Sequence, residues 1–162
     1  IGRYPDSMTI GQIFNMILKI RNFKNIPDKD LFEAYGIKSI YHKKMVSLSG
    51  GTVQKVSASL AFLFDPTVLI LDEPTAGLDP LASEILKEKI AKEKEKGKLI
   101  LITSHLLSEL DGLVSELVFM QEGNIVFHKK VDELLEETSQ NKISKAVTFI
   151  LKNKHKNYKV YR

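Results

Sequence analysis

The chain has 162 residues and a formal net charge of +4, with 43% hydrophobic and 27% charged residues, as is ordinary for one soluble domain with its own core. It contains no cysteine, which excludes disulfides and thiolate metal sites and fits a reducing compartment. No apolar run approaches the ~20 residues that a membrane-spanning helix needs, and the N-terminus lacks the apolar stretch of a signal peptide. The first residue is Ile1 rather than Met, and we expect the sequence to be a piece of a longer protein.

Short amphipathic helices are predicted for the first part of the chain. Apolar residues recur at helical spacing through "TIGQIFNMILKIRN", and Thr9 with Gln12 makes a capping box at the start of this segment. The stretch "DKDLFEAYGI" predicts a second short helix that closes at Gly36. We therefore expect residues about 6–47 to be helical.

An alternation of strand and helix follows in the middle of the chain. Residues 67–73, "TVLILDE", are a continuous apolar run that predicts a strand buried on both faces. Asp79 at a cap position and Pro80 at the first turn open a helix that ends at Gly97. Residues 98–104 predict a second buried strand. This order indicates an α/β fold with a mainly parallel sheet.

The C-terminal part predicts smaller elements and a basic end. Residues 106–114 predict a short helix, residues 116–129 a hairpin that turns at residues 122–124, "EGN", and residues 131–139 another helix. The positive charge is concentrated in residues 138–162. A solvated lysine surface is the favoured interpretation of that segment, ahead of contact with nucleic acid or with an anionic membrane surface.

Two adjacent carboxylates, Asp72 and Glu73, come at the carboxyl end of the first predicted strand. Ligands of open parallel sheets bind beyond the carboxyl ends of the strands, and adjacent side chains there point in different directions. An Asp in this position can supply the hard oxygen that Mg²⁺ prefers, and a following Glu can polarise an attacking water. The structural alternative is an Asp that caps a turn beside a solvated Glu.

Two further segments have the chemistry of phosphate binding. In "SLSGG", Gly50 and Gly51 precede a helix whose N-terminal N–H groups can bind an anion, and Ser49 adds a hydroxyl. His105 follows the second predicted strand at the same rim of the sheet and could hydrogen-bond a γ-phosphate. The alternatives are an ordinary glycine loop and a capping or buried structural histidine.

The motifs "LSGG", "LILDEP", "AGLDP" and a strand ending in "SH", in this order, resemble the ATP-binding-cassette family, the nucleotide-binding domains of ABC transporters. The resemblance covers residues 8–137. It implies an α/β P-loop NTPase (ABC ATPase) domain fragment, with a helical subdomain and the C-terminal part of the parallel-sheet core. The helical subdomain would be residues about 6–47, the core with signature, Walker B, D-loop and switch histidine about 48–137, and residues 138–162 a basic C-terminal segment.

The resemblance implies nucleotide contacts at the dimer interface. Ser49, Gly50 and Gly51 lie in a sequence similar to the signature motif, which in the family binds the γ-phosphate of ATP held by the opposite subunit. Asp79 lies in a sequence similar to the D-loop and would lie at the dimer interface. Thr52 stands where the family usually has Gln. In a common variant of the motif the Gln comes two places later, and Gln54 occupies that place here.

The resemblance also implies the catalytic residues. Asp72 is similar to the Walker B residue that holds Mg²⁺, Glu73 to the catalytic base, and His105 to the switch histidine that contacts the γ-phosphate. The implied cofactors are ATP and Mg²⁺. The whole protein would be an ATPase that couples ATP binding and hydrolysis to substrate transport.

The implied partners are a second ATP-binding subunit, in a head-to-tail dimer, and a transmembrane permease subunit that docks on the helical subdomain. The location would be cytoplasmic and peripheral, on the inner face of the cell membrane, and a nucleic-acid partner is not favoured. The phosphate-cradle pattern G-x-x-x-x-G-K-[ST] occurs nowhere in the chain, and the family's Q-loop would also lie upstream. We therefore expect a C-terminal fragment that is inactive alone.

Two other classes stay open. The first is a soluble ABC ATPase acting on ribosomes or DNA; a DNA-repair member would carry a long coiled coil before the signature, and residues 6–47 show no heptads. The second is a degenerate module that only binds a partner. The presence of Asp72, Glu73 and His105 together favours a truncated active protein over a degenerate one.

Overall fold

The computed structural model describes residues 4–21 and 26–158, with side-chain burial described as far as residue 153. The chain divides into two compact units, Ile1–Thr103 and Ser104–Arg162. The elements of the first unit are helices α1 (Ile10–Arg21), α2 (Asp30–Ala34), α3 (Gly50–Phe62) and α4 (Pro80–Glu95), strands β1 (Val68–Asp72) and β2 (Leu99–Thr103), and the short 3-10 helices Ile37–Ile40 and Met45–Ser47.

The predicted start of the first helix and the predicted end of the second are confirmed. The Thr9 N–H donates to Oε1 of Gln12 at 2.8 Å, and the Gln12 N–H donates to Oγ1 of Thr9 at 3.2 Å, so the capping box forms at the head of α1. Helix α2 ends one residue before Tyr35, and Gly36 then adopts a φ of 61°. Residue 22, the last of the predicted first helix, lies outside the described residues.

The core of the first unit lies between α1, α3 and the 3-10 turns. Phe14 contacts the rings of Phe32 and Tyr41, with centroids 5.2 and 6.0 Å away. Gly11 allows this packing, because a Cβ on it would lie 2.6 Å from the Tyr41 ring. The buried residues that form this core are Ile10, Ile13, Phe14, Ile37, Met45, Val56, Leu60 and Leu63.

The sheet of the first unit has two parallel strands, as predicted. Val68 pairs with Leu99 at one end of the ladder. The prediction that the strands are buried on both faces is wrong for the described residues: Leu69 is 3% exposed, but Ile70 is 72% and Leu101 is 56% exposed. Side chains alternate between the faces of a strand, and only the face that carries the buried leucines is packed.

A buried ionic cluster joins α4 to its surroundings. Lys89 is 4% exposed and binds Asp28 and Asp30, the latter at 2.8 Å, while the fully buried Glu93 binds Lys89 at 3.1 Å. Burial alone would raise the pKa of Glu93, but hydrogen bonds from its lysine partners outweigh it and lower the pKa to about 2. The cluster comprises Asp28, Asp30, Asp65, Lys89, Glu93, Lys96 and Lys98.

The second unit is built on a hairpin and two helices. It contains the 3-10 helix Leu107–Glu109, strands β3 (Glu116–Gln121) and β4 (Asn124–Lys130), and helices α5 (Val131–Thr138) and α6 (Ile143–Tyr158). The predicted hairpin is confirmed: the strands pair antiparallel, and the two turn residues Glu122 and Gly123 both have positive φ, as a tight two-residue hairpin turn requires.

Two predictions for the second unit differ from the structure. Residues 106–114, predicted as a helix, contain only the single 3-10 turn followed by bends, because Gly112 takes a φ of 74° that interrupts a helix. The basic segment, for which no element was predicted, contains α6, whose Ile143, Ala146 and Val147 are buried. The last four residues of that segment lie outside the described residues. Nowhere in the described ranges does a helix reach the length and hydropathy of a membrane span.

Candidate nucleotide-binding site

The two adjacent carboxylates lie at the carboxyl end of β1, where the sequence placed them. Asp72 is the last residue of the strand, and both Asp72 and Glu73 are exposed. The hydroxyl of Thr103 donates to Oδ1 of Asp72, and the Glu73 N–H donates to the Thr103 carbonyl at 3.0 Å. The end of β2 thus holds the end of β1 and leaves Oδ2 of Asp72 available to a ligand.

Glu73 has a φ of 44°, in the left-handed region that non-glycine residues rarely adopt. Such strain persists where the surroundings fix the backbone, and it is common at functional sites. Here the chain is fixed from two sides, by the bond to Thr103 and by Gln54, whose Nε2 donates to the Glu73 carbonyl at 3.3 Å and to the Pro74 carbonyl at 2.8 Å.

The glycine pair begins α3, as expected. Ser49 is the N-cap of this 13-residue helix, and its Oγ accepts from the Thr52 N–H at 3.3 Å and bonds the Thr52 hydroxyl at 2.9 Å. Ser49 and Gly50 are exposed. The first turn of a helix leaves N–H groups without intrahelical partners, so this end can donate hydrogen bonds to an anion.

The glycines of two separate motifs touch within the first unit. A Cβ on Gly51 would lie 2.4 Å from the carbonyl oxygen of Gly77, which is closer than real Cβ contacts come. Gly77 has a φ of 74°, so its own position also favours glycine. By contrast, a Cβ on Gly50 would meet nothing within 4 Å. Residue 51 must therefore be glycine for the start of α3 to approach the segment "AGLDP".

Asp79 caps α4 and forms an ion pair with α3. Its Oδ1 accepts from the Ala82 N–H at 2.9 Å, and its Oδ2 binds Nζ of Lys55 at 2.6 Å. The hydrogen bond from Lys55, followed by that from the Ala82 N–H, holds the pKa of Asp79 below its usual range. The Tyr35 hydroxyl donates to the Ala82 carbonyl at 3.0 Å, and burial, followed by the charge of Asp79, raises the pKa of Tyr35 to about 12.

His105 lies in the second unit, in an exposed turn two residues beyond the end of β2 along the chain. The turn is closed by Ser104, whose Oγ accepts from the Leu106 N–H at 3.0 Å and donates to the Leu106 carbonyl at 3.3 Å. Six of the seven predicted site residues thus lie in the first unit, and His105 lies in the second.

The carboxylate donor set fits a magnesium ion. Asp72 offers an exposed oxygen at a strand end, and hard carboxylate oxygens beside water are the usual surroundings of Mg²⁺. The tightest group of carboxylates in the described part of the chain is a different one, Asp28, Asp65 and Glu93. Lysines already neutralise that group, so it needs no cation.

The sequence did not predict the contacts that Gln54 and Lys55 make. They follow the glycine pair on α3 and bind the segment after β1, Gln54 at its start and Lys55 at its end. Gln54 was seen only as a variant signature residue, and Lys55 was not singled out. The available signal was their place one turn into a helix whose N-terminus carries the candidate phosphate contacts.

Comparison with known proteins defines the class of this chain. A family profile described as "AAA domain, putative AbiEii toxin, Type IV TA system" matches residues 44–111. A solved "Structure of ATP binding subunit of ABC transporter" superimposes with a TM-score of 0.76, at 22% identity, over 90% of this chain and 63% of that chain. A nucleotide-free ATP-binding cassette from an ABC transporter gives 0.61, at 21% identity, over 84% and 62%. The fold is that of an ABC ATPase domain of the P-loop NTPase class.

Proteins with similar sequences show which members of this fold class are related to the chain. The lantibiotic transport ATP-binding protein SrtF of Streptococcus pyogenes is 37% identical over 115 residues, which are 70% of this chain and 50% of the relative. The ABC transporter ATP-binding protein NatA of Bacillus subtilis is 31% identical over 108 residues, 67% of this chain and 44% of the relative. The homologues of this chain are thus ABC transporter ATP-binding proteins, which confirms the resemblance drawn from the sequence. The chain spans about half the length of these curated relatives.

Proposed function

We propose that this chain supplies the signature, Walker B, D-loop and switch-histidine elements of an ATPase that couples ATP binding and hydrolysis to transport by an ABC transporter. The observation that carries the proposal is the junction of Gly51 with Gly77 beside the strand-end carboxylates. It unites the phosphate-binding helix end and the carboxylate-bearing loop in one structural unit.

Each residue then has a role that its geometry supports. The exposed helix start at Ser49, Gly50 and Gly51 contacts the γ-phosphate of ATP held by the opposite subunit. Asp72 is the ligand of Mg²⁺, which when bound neutralises charge on the phosphates. Glu73 orients and deprotonates the attacking water.

Two further residues have proposed roles. Asp79 fixes the D-loop at the subunit interface through its bonds to Lys55 and Ala82. His105 contacts the γ-phosphate. The two subunits are arranged head to tail, so each signature segment completes the site of the other.

The chain by itself is expected to bind ATP weakly or not at all and to show no measurable turnover. Phosphoryl transfer depends on a cradle of backbone N–H groups and a lysine around the phosphates. The sequence pattern of that cradle does not occur in residues 1–162. The permease partner docks on the helical residues about 6–47, and the assembly lies on the inner face of the membrane.

The test is ATP hydrolysis by this chain and by a protein extended upstream of Ile1 to include an in-frame G-x-x-x-x-G-K-[ST] segment. Each is measured with and without Glu73→Gln, and with Glu122→Gln as a control in an exposed hairpin turn. We expect turnover only in the extended protein, lost in Glu73→Gln and kept in Glu122→Gln. Turnover by the chain alone that disappears in Glu73→Gln would contradict the proposal, as would an extended protein in which Glu73→Gln retains full activity.

A further inference from the structure

The distribution of charge along the chain is uneven. Residues 142–162 contain seven of the 24 basic residues and none of the 20 acidic ones, so the remainder of the chain has a net negative charge. Most of this segment is α6, Ile143–Tyr158. The net positive charge of the chain therefore comes from this C-terminal segment.

Helix α6 has two unlike faces. Ile143, Ala146 and Val147 are buried at 1% exposure or less and pack the helix into the second unit. Lys145 and Lys152 are exposed, and the 3.6-residue period places them on the opposite face. The inward face holds the helix in place, and the outward face is available to a partner.

An exposed aromatic residue lies on the basic face. Phe149 is 45% exposed, and it stands four residues after Lys145 and three before Lys152. Lys145, Phe149 and Lys152 thus place one partly exposed aromatic ring between two lysines, an arrangement in which a helix can lie on a lipid surface with its cations at the headgroups and its ring at the acyl boundary.

The lysines on this face, and Lys142 just before the helix, form no ion pair within the described part of the chain. Within the described residues, no carboxylate lies within 4.0 Å of Lys142, Lys145 or Lys152. Two acidic residues of the neighbouring α5 are paired with the hairpin instead, Glu137 with Lys129 and Glu133 with Lys130, the latter at 3.7 Å. No carboxylate of the described residues therefore neutralises these three lysines.

We propose that the outward face of α6 is a docking surface for an anionic lipid membrane, held by lysines and by Phe149. Clusters of four to eight basic residues on an amphipathic helix attract anionic headgroups, at about fivefold in affinity for each lysine near the surface. Six of the seven cations are lysines and only Arg162 is an arginine. Arginine is the residue that reads phosphates and bases of nucleic acids bidentately, so this composition favours lipid over RNA. The surface contains none of the seven candidate nucleotide-site residues, and the proposal requires no ATP.

The test is sedimentation of the whole chain with phosphatidylcholine vesicles, with and without phosphatidylglycerol. The test variant neutralises Lys142, Lys145 and Lys152 to Gln, which retains helix propensity. The control variant makes the same change in charge at three exposed lysines of the first unit, Lys38, Lys43 and Lys44. Circular dichroism of each variant checks that the helices are retained.

We expect binding to the anionic vesicles alone, about 100-fold weaker in the test variant and changed little in the control. Binding of the unchanged chain should also fall steeply with added salt, a readout that does not depend on the folding of any variant. Absence of binding, equal binding to neutral vesicles, or an equal loss in both variants would overturn the proposal. So would binding to a short RNA duplex without binding to anionic vesicles.

Discussion

Neutralising Glu93 offers a quantitative test of the buried ionic cluster. The carboxylate is fully buried and is bonded by Lys89, Lys96 and Lys98. Its pKa falls from 4.5 to about 2, which at 1.36 kcal/mol per pKa unit corresponds to about 3 kcal/mol of stabilisation at neutral pH. Glu93→Gln preserves shape and removes the charge, so it should destabilise the fold by about that amount, near the lower end of values for broken buried ion pairs.

The pH dependence separates this mechanism from a simple packing defect. Because the pKa of Glu93 is lowered in the folded chain, its stabilisation is complete above 4.5 and declines as the pH falls towards 2. The difference in the free energy of unfolding between the chain and Glu93→Gln should therefore shrink from about 3 kcal/mol at neutral pH to about 1 kcal/mol near pH 3.

Urea unfolding followed by circular dichroism at several pH values measures this difference. Glu95→Gln is the matched control, because Glu95 is exposed on the same helix and should change stability by about 0.5 kcal/mol or less. A destabilisation by Glu93→Gln that is the same at neutral pH and near pH 3 would refute the electrostatic reasoning. So would an equal effect of the two substitutions.

Two further predictions concern the junction of α3 with the segment after β1. Gly51→Ala should destabilise the fold by about 1–3 kcal/mol, because its Cβ would press on the Gly77 carbonyl at 2.4 Å. Gly50→Ala has open space around it and should cost about 1 kcal/mol less than Gly51→Ala, or nothing. Thermal unfolding of the two variants tests this difference, and equal effects would contradict the contact. Lys55→Met should raise the pKa of Asp79 towards its ordinary range, as followed by NMR titration of the carboxylate, while Lys55→Arg should keep it low; an unchanged pKa in Lys55→Met would show that the ion pair does not set it.

Local features of this fold could be predicted from the sequence because neighbouring residues determine them. The bonds of the Thr9 and Gln12 box span three residues, and the turn at Glu122 and Gly123 needs only a backbone that tolerates positive φ. Parallel pairing of the two apolar strands followed from the helix between them. In each case the physical cause lies within the segment itself.

The features that were missed depend on residues far apart in the chain. Lys89 meets Asp28 across 61 positions, so the ionic cluster has no local pattern. The basic segment was interpreted as a solvated lysine surface, and its buried Ile143 was overlooked because lysines dilute the apolar period. Exposure of Ile70 was unpredictable for a related reason, since burial of a strand face depends on which layer packs on it.

Helix α3 connects the proposed phosphate contacts at its N-terminus to the loop that carries Glu73. Ser49 begins the helix at the predicted γ-phosphate contact, and Gln54 and Lys55, little more than one turn later, bind the two ends of the loop that follows β1. That loop sets the backbone of Glu73, which is held at a φ of 44°. A displacement of the first turn of α3 would therefore bear on this loop through the bonds of Gln54 and Lys55. In the proposed dimer, a nucleotide on another subunit that contacts the helix start would thus act on the position of Glu73 through α3, without touching the loop itself.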